Sequence, residues 1–145
     1  MPDRAESPTG ATEKCGVVGV SLADRDVARP IYYAMYALQH RGQESAGIAT
    51  HDGFQQHSHV ERGLVGDAID EAALEDLRGA AGIGHVRYPT SGGLNTCCAQ
   101  PFAVSFKSGS LGLAHNGNLV NTDELRTELE AAGHAFTSDG DTEVI

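Results

Sequence analysis

The chain has 145 residues, 40% of them hydrophobic and 21% charged, a composition that supports one packed globular core and excludes an intrinsically disordered segment. Asp and Glu outnumber Lys and Arg by 20 to 10, and the resulting net charge of −10 has the wrong sign for a face that binds nucleic-acid phosphates. No run approaches the roughly 18 apolar residues of a membrane span, and three cysteines, one isolated and two adjacent, cannot build the paired framework of a small secreted domain. The expected setting is a reducing cytoplasm, and acids spread along the chain fit a surface kept soluble at high salt.

Residues 1–14 carry Pro2, Ser7, Pro8, Thr9, Gly10 and Thr12 and lack the apolar centre of a secretory signal. They read as a leader that ends at Lys14. Its removal would leave Cys15 with a thiol and a free α-amine, a nucleophile and a base on one residue. A free cysteine is more often a small buried hydrophobe, so position alone leaves both readings open.

Residues 16–22 (GVVGVSL) read as a buried strand. The period then changes: Ile31, Ala34, Met35 and Leu38 share one helical face, Pro30 lies early and Gly42 just beyond, which predicts a helix over 28–40. Tyr32, Tyr33 and Tyr36 on it are expected to pack against the core or its flank. The polar stretch 40–45 (HRGQES) is a connection, and connections carry function more often than elements do. Strands are expected at 46–50 and 54–60 around the Asp52-Gly53 turn. The histidines His51, His57 and His59 lack a metal-ligand pattern, and no metal site is expected.

An acidic helix is predicted over 67–78, closed by Gly79, and a strand over 82–86 that delivers Arg87. A guanidinium there has the fork geometry for a carboxylate, although an arginine at a strand end is equally an ordinary surface charge. The vicinal pair Cys97-Cys98 reads as packing or as incidental. Strands at 101–105 and 111–115 follow, and the second runs into Asn116-Gly117, which is either a hairpin turn or a pair of oxyanion donors. Asn121 and Glu124 suggest a capping box opening a helix over 121–132. A brief strand at 135–136 and the start of a further helix at 138–145 complete the expectations.

Six segments in order, residues 15–20 (CGVVGV), 38–50 (LQHRGQESAGIAT), 84–93 (GHVRYPTSGG), 99–102 (AQPF), 113–121 (LAHNGNLVN) and 138–145 (SDGDTEVI), resemble the amidophosphoribosyltransferase family. The resemblance covers residues 15–145 and corresponds to that family's N-terminal glutaminase domain. Glucosamine-6-phosphate synthases are similar in architecture, but they have Tyr-Arg-Gly-Tyr-Asp where this chain has His40-Arg41-Gly42-Gln43-Glu44. They also have Arg-Trp-Ala-Thr in place of Arg87-Tyr88-Pro89-Thr90.

The resemblance implies an α+β fold, a four-layer αββα sandwich of the N-terminal nucleophile hydrolase type, with 1–14 as propeptide and 15–145 as a glutamine amidotransferase domain that stops before a phosphoribosyltransferase domain. It implies Cys15 as nucleophile, with Asn116 and Gly117 as the oxyanion hole. Arg87 would grip the glutamine α-carboxylate and Asp141 the α-ammonium, with Tyr88 and Thr90 shaping the pocket and Arg41 nearby. The family usually reads Ser-Asp-Thr-Glu where this chain has Ser138-Asp139-Gly140-Asp141-Thr142-Glu143; Asp141 keeps the context, and Asp139 is the alternative. No cofactor is implied for this segment, whereas Mg²⁺, and in some members a 4Fe-4S cluster, belongs to the missing part. Glutamine, and phosphoribosyl pyrophosphate through the missing domain, are the implied partners, and the full-length enzyme is implied to be a homo-oligomer making 5-phosphoribosylamine for purine synthesis. A non-catalytic module of the same fold, an inert fragment and another amidotransferase of this class are the competing expectations.

Overall fold

The computed structural model describes residues 15–88 and 98–145. In chain order these form β1 (Gly16–Ser21), α1 (Ala28–Ala37), a 3₁₀ turn (Gln39–Arg41), β2 (Ser45–His51), β3 (Gln56–Arg62), α2 (Val65–Ala68), α3 (Glu71–Asp76), β4 (Ala81–Arg87), β5 (Phe102–Phe106), β6 (Gly109–Leu113), α4 (Thr122–Ala131) and a second 3₁₀ turn (Asp141–Glu143). The first four strands make one antiparallel sheet in the order β1-β4-β2-β3, and β5 and β6 pair as a separate ribbon.

The pleat of β4 sorts the layers, because successive side chains point to opposite faces. Gly82, Gly84 and Val86 face α1: a Cβ on Gly82 would stand 2.9 Å from Ile31 Cδ1, and one on Gly84 would collide with Met35 and Ile31. Between the sheet and its helices lies the core of Val27, Ile31, Met35, Ile48, Val65, Ile69, Leu77 and Val86, all at most 2% exposed. Ile83, His85 and Arg87 face the other way, toward the ribbon, where a Cβ on Gly112 would come within 3.5 Å of Ile83 Cδ1. The order helix, sheet, ribbon, followed in the chain by α4, supplies the α+β layering expected of an αββα sandwich. No helix among the described residues is long and apolar enough to cross a membrane.

The close approach at Gly84 gives a direct test of this packing. Gly84→Val drives two methyl groups into Met35 and Ile31, both 0% exposed, so overpacking is expected to destabilise by about 3 kcal/mol. Urea unfolding reads this as a lower midpoint at unchanged slope.

Several expected elements differ. The helix over 67–78 is two short helices, because Ile69 turns extended (φ −124°, ψ 98°) to enter the core and Asp70 starts α3 anew by accepting the Ala73 N–H at 2.8 Å. The helix over 28–40 ends at Ala37, where the Gln39 side chain accepts the Val65 N–H at 2.6 Å and so locks the chain into a 3₁₀ turn. The turn after β2 runs through residue 55, since Asp52 Oδ1 accepts both the Phe54 and Gln55 N–H groups at 2.8 Å, and β3 begins two residues later than expected. His57 pairs with Asp52 at 3.0 Å, and His59 donates to the Ala68 carbonyl at 2.8 Å.

Tyr32 packs on the core, whereas Tyr33 and Tyr36 are exposed, which corrects the expectation for these two. β6 ends at Leu113, before His115. Asn121 makes no side-chain cap, so the capping box does not form. Phe136 lies beneath the Arg126 guanidinium at 4.4 Å rather than in a strand. Residues 138–145 form a hydrogen-bonded loop and a 3₁₀ turn in place of a helix, held by the Glu143 carboxylate.

Candidate active site

Register brings the candidate residues together. β1 pairs with β4 so that Gly16 faces Val86 and Val17 faces His85, which leaves Cys15 and Arg87 at the same end of neighbouring strands, on the face away from α1. Cys15, His85, Arg87, Tyr88, Asn116, Gly117, Asp139 and Asp141 all line one cleft of about 970 Å³ on that face. Thr90 and Cys97 lie outside the described residues.

Cys15 is half-buried, and its backbone is held from two sides. Its carbonyl accepts the Arg41 Nε–H at 2.8 Å and the Asn116 Nδ2–H at 3.0 Å, the latter from 101 residues away in the chain. Arg41 thus fixes the Cys15 main chain from behind and does not line the cleft. The 3₁₀ turn can lie this close to β4 only because residue 42 has no side chain: a Cβ on Gly42 would stand 2.6 Å from the Val86 and Arg87 carbonyl carbons. The Glu44 N–H then donates to the Arg87 carbonyl at 2.9 Å. Glu44 Oε2 is buried 3.3 Å from Arg87 Nε, an ion pair not aligned as a hydrogen bond, and its charge draws the guanidinium toward the cleft wall.

Opposite Cys15, the turn after β6 is fastened by Gln100. Gln100 Oε1 accepts the His115 N–H at 2.6 Å, and Gln100 Nε2 donates to Thr142 Oγ1 at 2.9 Å, so one side chain ties the Asn116-Gly117 turn to the loop that carries Asp139 and Asp141. Gln100 itself is seated through Gly47, where any Cβ would collide with the Gln100 carbonyl. Asp141 Oδ2 accepts the Leu119 N–H at 2.9 Å and stands 3.7 Å from His115 Nδ1. This anchorage to the turn distinguishes Asp141 from Asp139, although both reach the cleft. Cys98, half-buried, also lines the cleft, its Sγ 3.4 Å from where a Gly140 Cβ would be.

Burial opposes ionisation of the Glu143 carboxyl, but hydrogen bonds from both the backbone and the hydroxyls of Ser138 and Thr137 outweigh that and hold its pKa below the ordinary carboxylate range. The loop is therefore closed most firmly above the ordinary carboxylate pKa and loosens as pH falls through the lowered one.

His85 is 1% exposed, and burial, with the Arg87 and His115 charges adding to it, pushes its pKa down to about 4. A histidine that is neutral when folded and titrates near 6.5 when unfolded destabilises the fold as pH drops from 6.5 toward 4, by roughly 3 kcal/mol across that window. Stability is complete above pH 6.5, so His85→Asn is expected to flatten the acid limb, read as urea midpoints at pH 4.5, 5.5 and 7.

Sequence reasoning passed over Glu44, His85, Gln100, His115 and Glu143. Only His85 left a local signal, since it shares the pleat face of Arg87 on β4.

Residues 69–145 match a family model described as a glutamine amidotransferase domain. Curated relatives include the amidophosphoribosyltransferase of Methanocaldococcus jannaschii, 53% identical over 132 residues that make up 90% of this chain and 28% of the relative. That of Methanothermobacter thermautotrophicus is 51% identical over 135 residues, 92% of this chain and 28% of the relative. Among solved structures, the glutamine phosphoribosylpyrophosphate amidotransferase of B. subtilis, complexed with ADP and GMP, superposes with a TM-score of 0.79 at 40% identity, covering 88% of this chain and 27% of that one. A structure described as the allosteric regulatory enzyme of purine biosynthesis gives 0.81 at 42%, covering 88% of this chain and 28% of that one. The chain spans a little over a quarter of the length of these relatives. With the family match extending over more than half of its residues and its α+β fold shared with amidotransferases of N-terminal nucleophile hydrolase type, the chain belongs to the glutamine amidotransferase family.

Proposed function

We propose that this domain hydrolyses glutamine to glutamate and ammonia through a thioester on Cys15, once the Lys14–Cys15 bond has been cut. The observation that carries the reading is the 3.0 Å hydrogen bond from Asn116 Nδ2 to the Cys15 carbonyl, which brings the Asn116 amide against Cys15, with Gly117 and Arg87 lining the same cleft. The freed α-amine, with an ordinary pKa of about 7.7–8.0, takes the thiol proton at neutral pH. The thiolate adds to the side-chain amide carbon, and the oxyanion that forms is met by Asn116 and Gly117. The amine returns the proton to the leaving nitrogen, ammonia departs, and a γ-glutamyl thioester remains. Water adds to the thioester carbon, the C–S bond breaks, and glutamate and the thiol are regenerated.

Arg87 pairs with the α-carboxylate as a two-pronged donor, Asp141 accepts from the α-ammonium, and Tyr88 and Thr90 shape the pocket. In the whole protein, the ammonia would meet phosphoribosyl pyrophosphate in a phosphoribosyltransferase domain outside residues 1–145 and give 5-phosphoribosylamine, the entry to purine synthesis. A homo-oligomer in the cytoplasm is the corresponding assembly and compartment. Among the described residues no three His, Cys, Asp or Glu side chains cluster as a metal site, and no step is assigned to a metal.

The reading is tested by intact mass and glutamate release measured together: activity should rise in proportion to the fraction of chains that start at Cys15. Activity in chains that all retain Met1 contradicts it. A second outcome concerns the 138–143 loop. Glu143→Ala removes the acceptor of four hydrogen bonds and is expected to raise the KM for glutamine about tenfold with a smaller change in kcat, because it loosens Asp141 without touching the thiol.

A further inference from the structure

His85 is a buried titratable group to which the mechanism above gives no part. Its two ring nitrogens are fully buried and have no hydrogen-bond partner among the described residues. Native interiors rarely leave such an atom unpaired, since the unmade bond costs about 1–3 kcal/mol. His85 and His115 line the same cleft, and the His115 backbone acts on the ring as an acceptor that favours its protonated form.

The position of His115 gives that contact a consequence. Its N–H is already held by Gln100 Oε1 at 2.6 Å, and its ring is tucked under the next turn residue, 2.8 Å from where a Gly117 Cβ would be. Its carbonyl belongs to the peptide whose N–H is that of Asn116, and the following N–H is the Gly117 oxyanion donor. Whatever holds the His115 carbonyl therefore fixes the peptide that leads into Asn116, whose side-chain amide and whose neighbouring Gly117 N–H are the two donors. His85 is firmly anchored, since it sits in the sheet between Val17 of β1 and Gly47 of β2, one pleat step deeper than Arg87 and on the same face.

We propose that His85 is a positioning residue of the oxyanion turn, its ring N–H donating to the His115 carbonyl and so fixing, with Gln100, the two peptides that flank His115 and lead into Asn116 and Gly117. The proposal rests on the glutaminase reading for its kinetic consequence, though not for its structural one. Because the oxyanion forms only during reaction, loosening the turn lowers kcat while leaving glutamine affinity nearly unchanged.

The test uses the full-length, processed protein with His85→Phe, which fills the space without a donor, and His85→Asn and His85→Gln, whose amides place an N–H near one or the other ring nitrogen. His85→Phe is expected to lower kcat for glutamate release about 10- to 100-fold with KM within about threefold of the parent. Asn or Gln should restore most of the rate, and the one that does identifies the donating nitrogen. Hydrogen exchange at the Asn116 and Gly117 amides, measured without substrate, should quicken about tenfold in His85→Phe and return in the rescuing variant. The proposal is overturned if His85→Phe keeps the parent kcat, if KM rises in step with the loss of rate, or if Asn and Gln are both as impaired as Phe in a protein of parent thermal stability. Unchanged exchange at residues 116 and 117 overturns it as well. If the parent itself releases no glutamate in a Cys15-dependent way, the glutaminase reading fails, and the exchange measurement still decides the contact.

Discussion

Cys15→Ala, made in a chain that begins at residue 15, is expected to lose at least about 10⁴-fold in kcat for glutamate release while it folds and binds glutamine as the parent does. The size of the effect follows from what the thiol does: without it no thioester forms, and water must attack an unactivated amide directly. Folding survives because the backbone grip on residue 15 is made through its carbonyl, to Arg41 and Asn116, and neither bond involves the side chain. Cys15→Ser keeps the shape and is expected to be nearly as inactive, since a hydroxyl at neutral pH is a far weaker nucleophile than a thiol with an adjacent base. Glutamine binding by calorimetry, done beside the activity assay, separates loss of chemistry from loss of the pocket.

Asn116→Ala is expected to lower kcat by about 10²–10³, the usual effect of deleting one oxyanion donor, with the KM for glutamine changed little. Two contacts are lost together, the donor to the developing oxyanion and the 3.0 Å bond to the Cys15 carbonyl. Asn116→Asp tells them apart. It is the same size, but it sets a carboxylate against both the Cys15 carbonyl and the oxyanion, so it should be worse than alanine, and steady-state kinetics on the two variants gives the order. A rise in KM at constant kcat would instead make Asn116 a ground-state contact.

Much of the scaffold is legible in the chain because β1, β2 and β4 each have a run of small or β-branched residues, and these three strands lie within a residue of their expected bounds. The break between α2 and α3 is not legible: Ile69 and Asp70 continue the helical pattern, and only the tertiary fit of Ile69 into the core shows that the helix stops there. The loop at 138–143 misled for a related reason, since Asp141 near an expected N-terminus looks like a helix start, while Glu143 in fact turns its carboxylate back onto Thr137 and Ser138.

The site itself was legible chiefly through resemblance. Nothing local relates Cys15 to Asn116, which meet across 101 residues. The resemblance alone places Arg41 near the substrate, and in the structure its Nε donates to the Cys15 carbonyl. Gln100 escaped notice because its significance lies in the backbone group it faces, the His115 N–H, and that depends on the stacking of the ribbon on the sheet.

The central claim is that a processed Cys15 is the nucleophile of a glutamine site, and affinity labelling with peptide mapping tests it most directly. A glutamine analogue carrying an electrophilic carbon in place of the side-chain amide is incubated with the purified protein, and the modified peptide is sequenced by mass. The expected result is one adduct per chain, on the Sγ of a cysteine that is itself the first residue, slowed by excess glutamine and by Arg87→Ala. An adduct on Cys97 or Cys98, or labelling of chains that still carry Lys14 at the same rate, would contradict the claim.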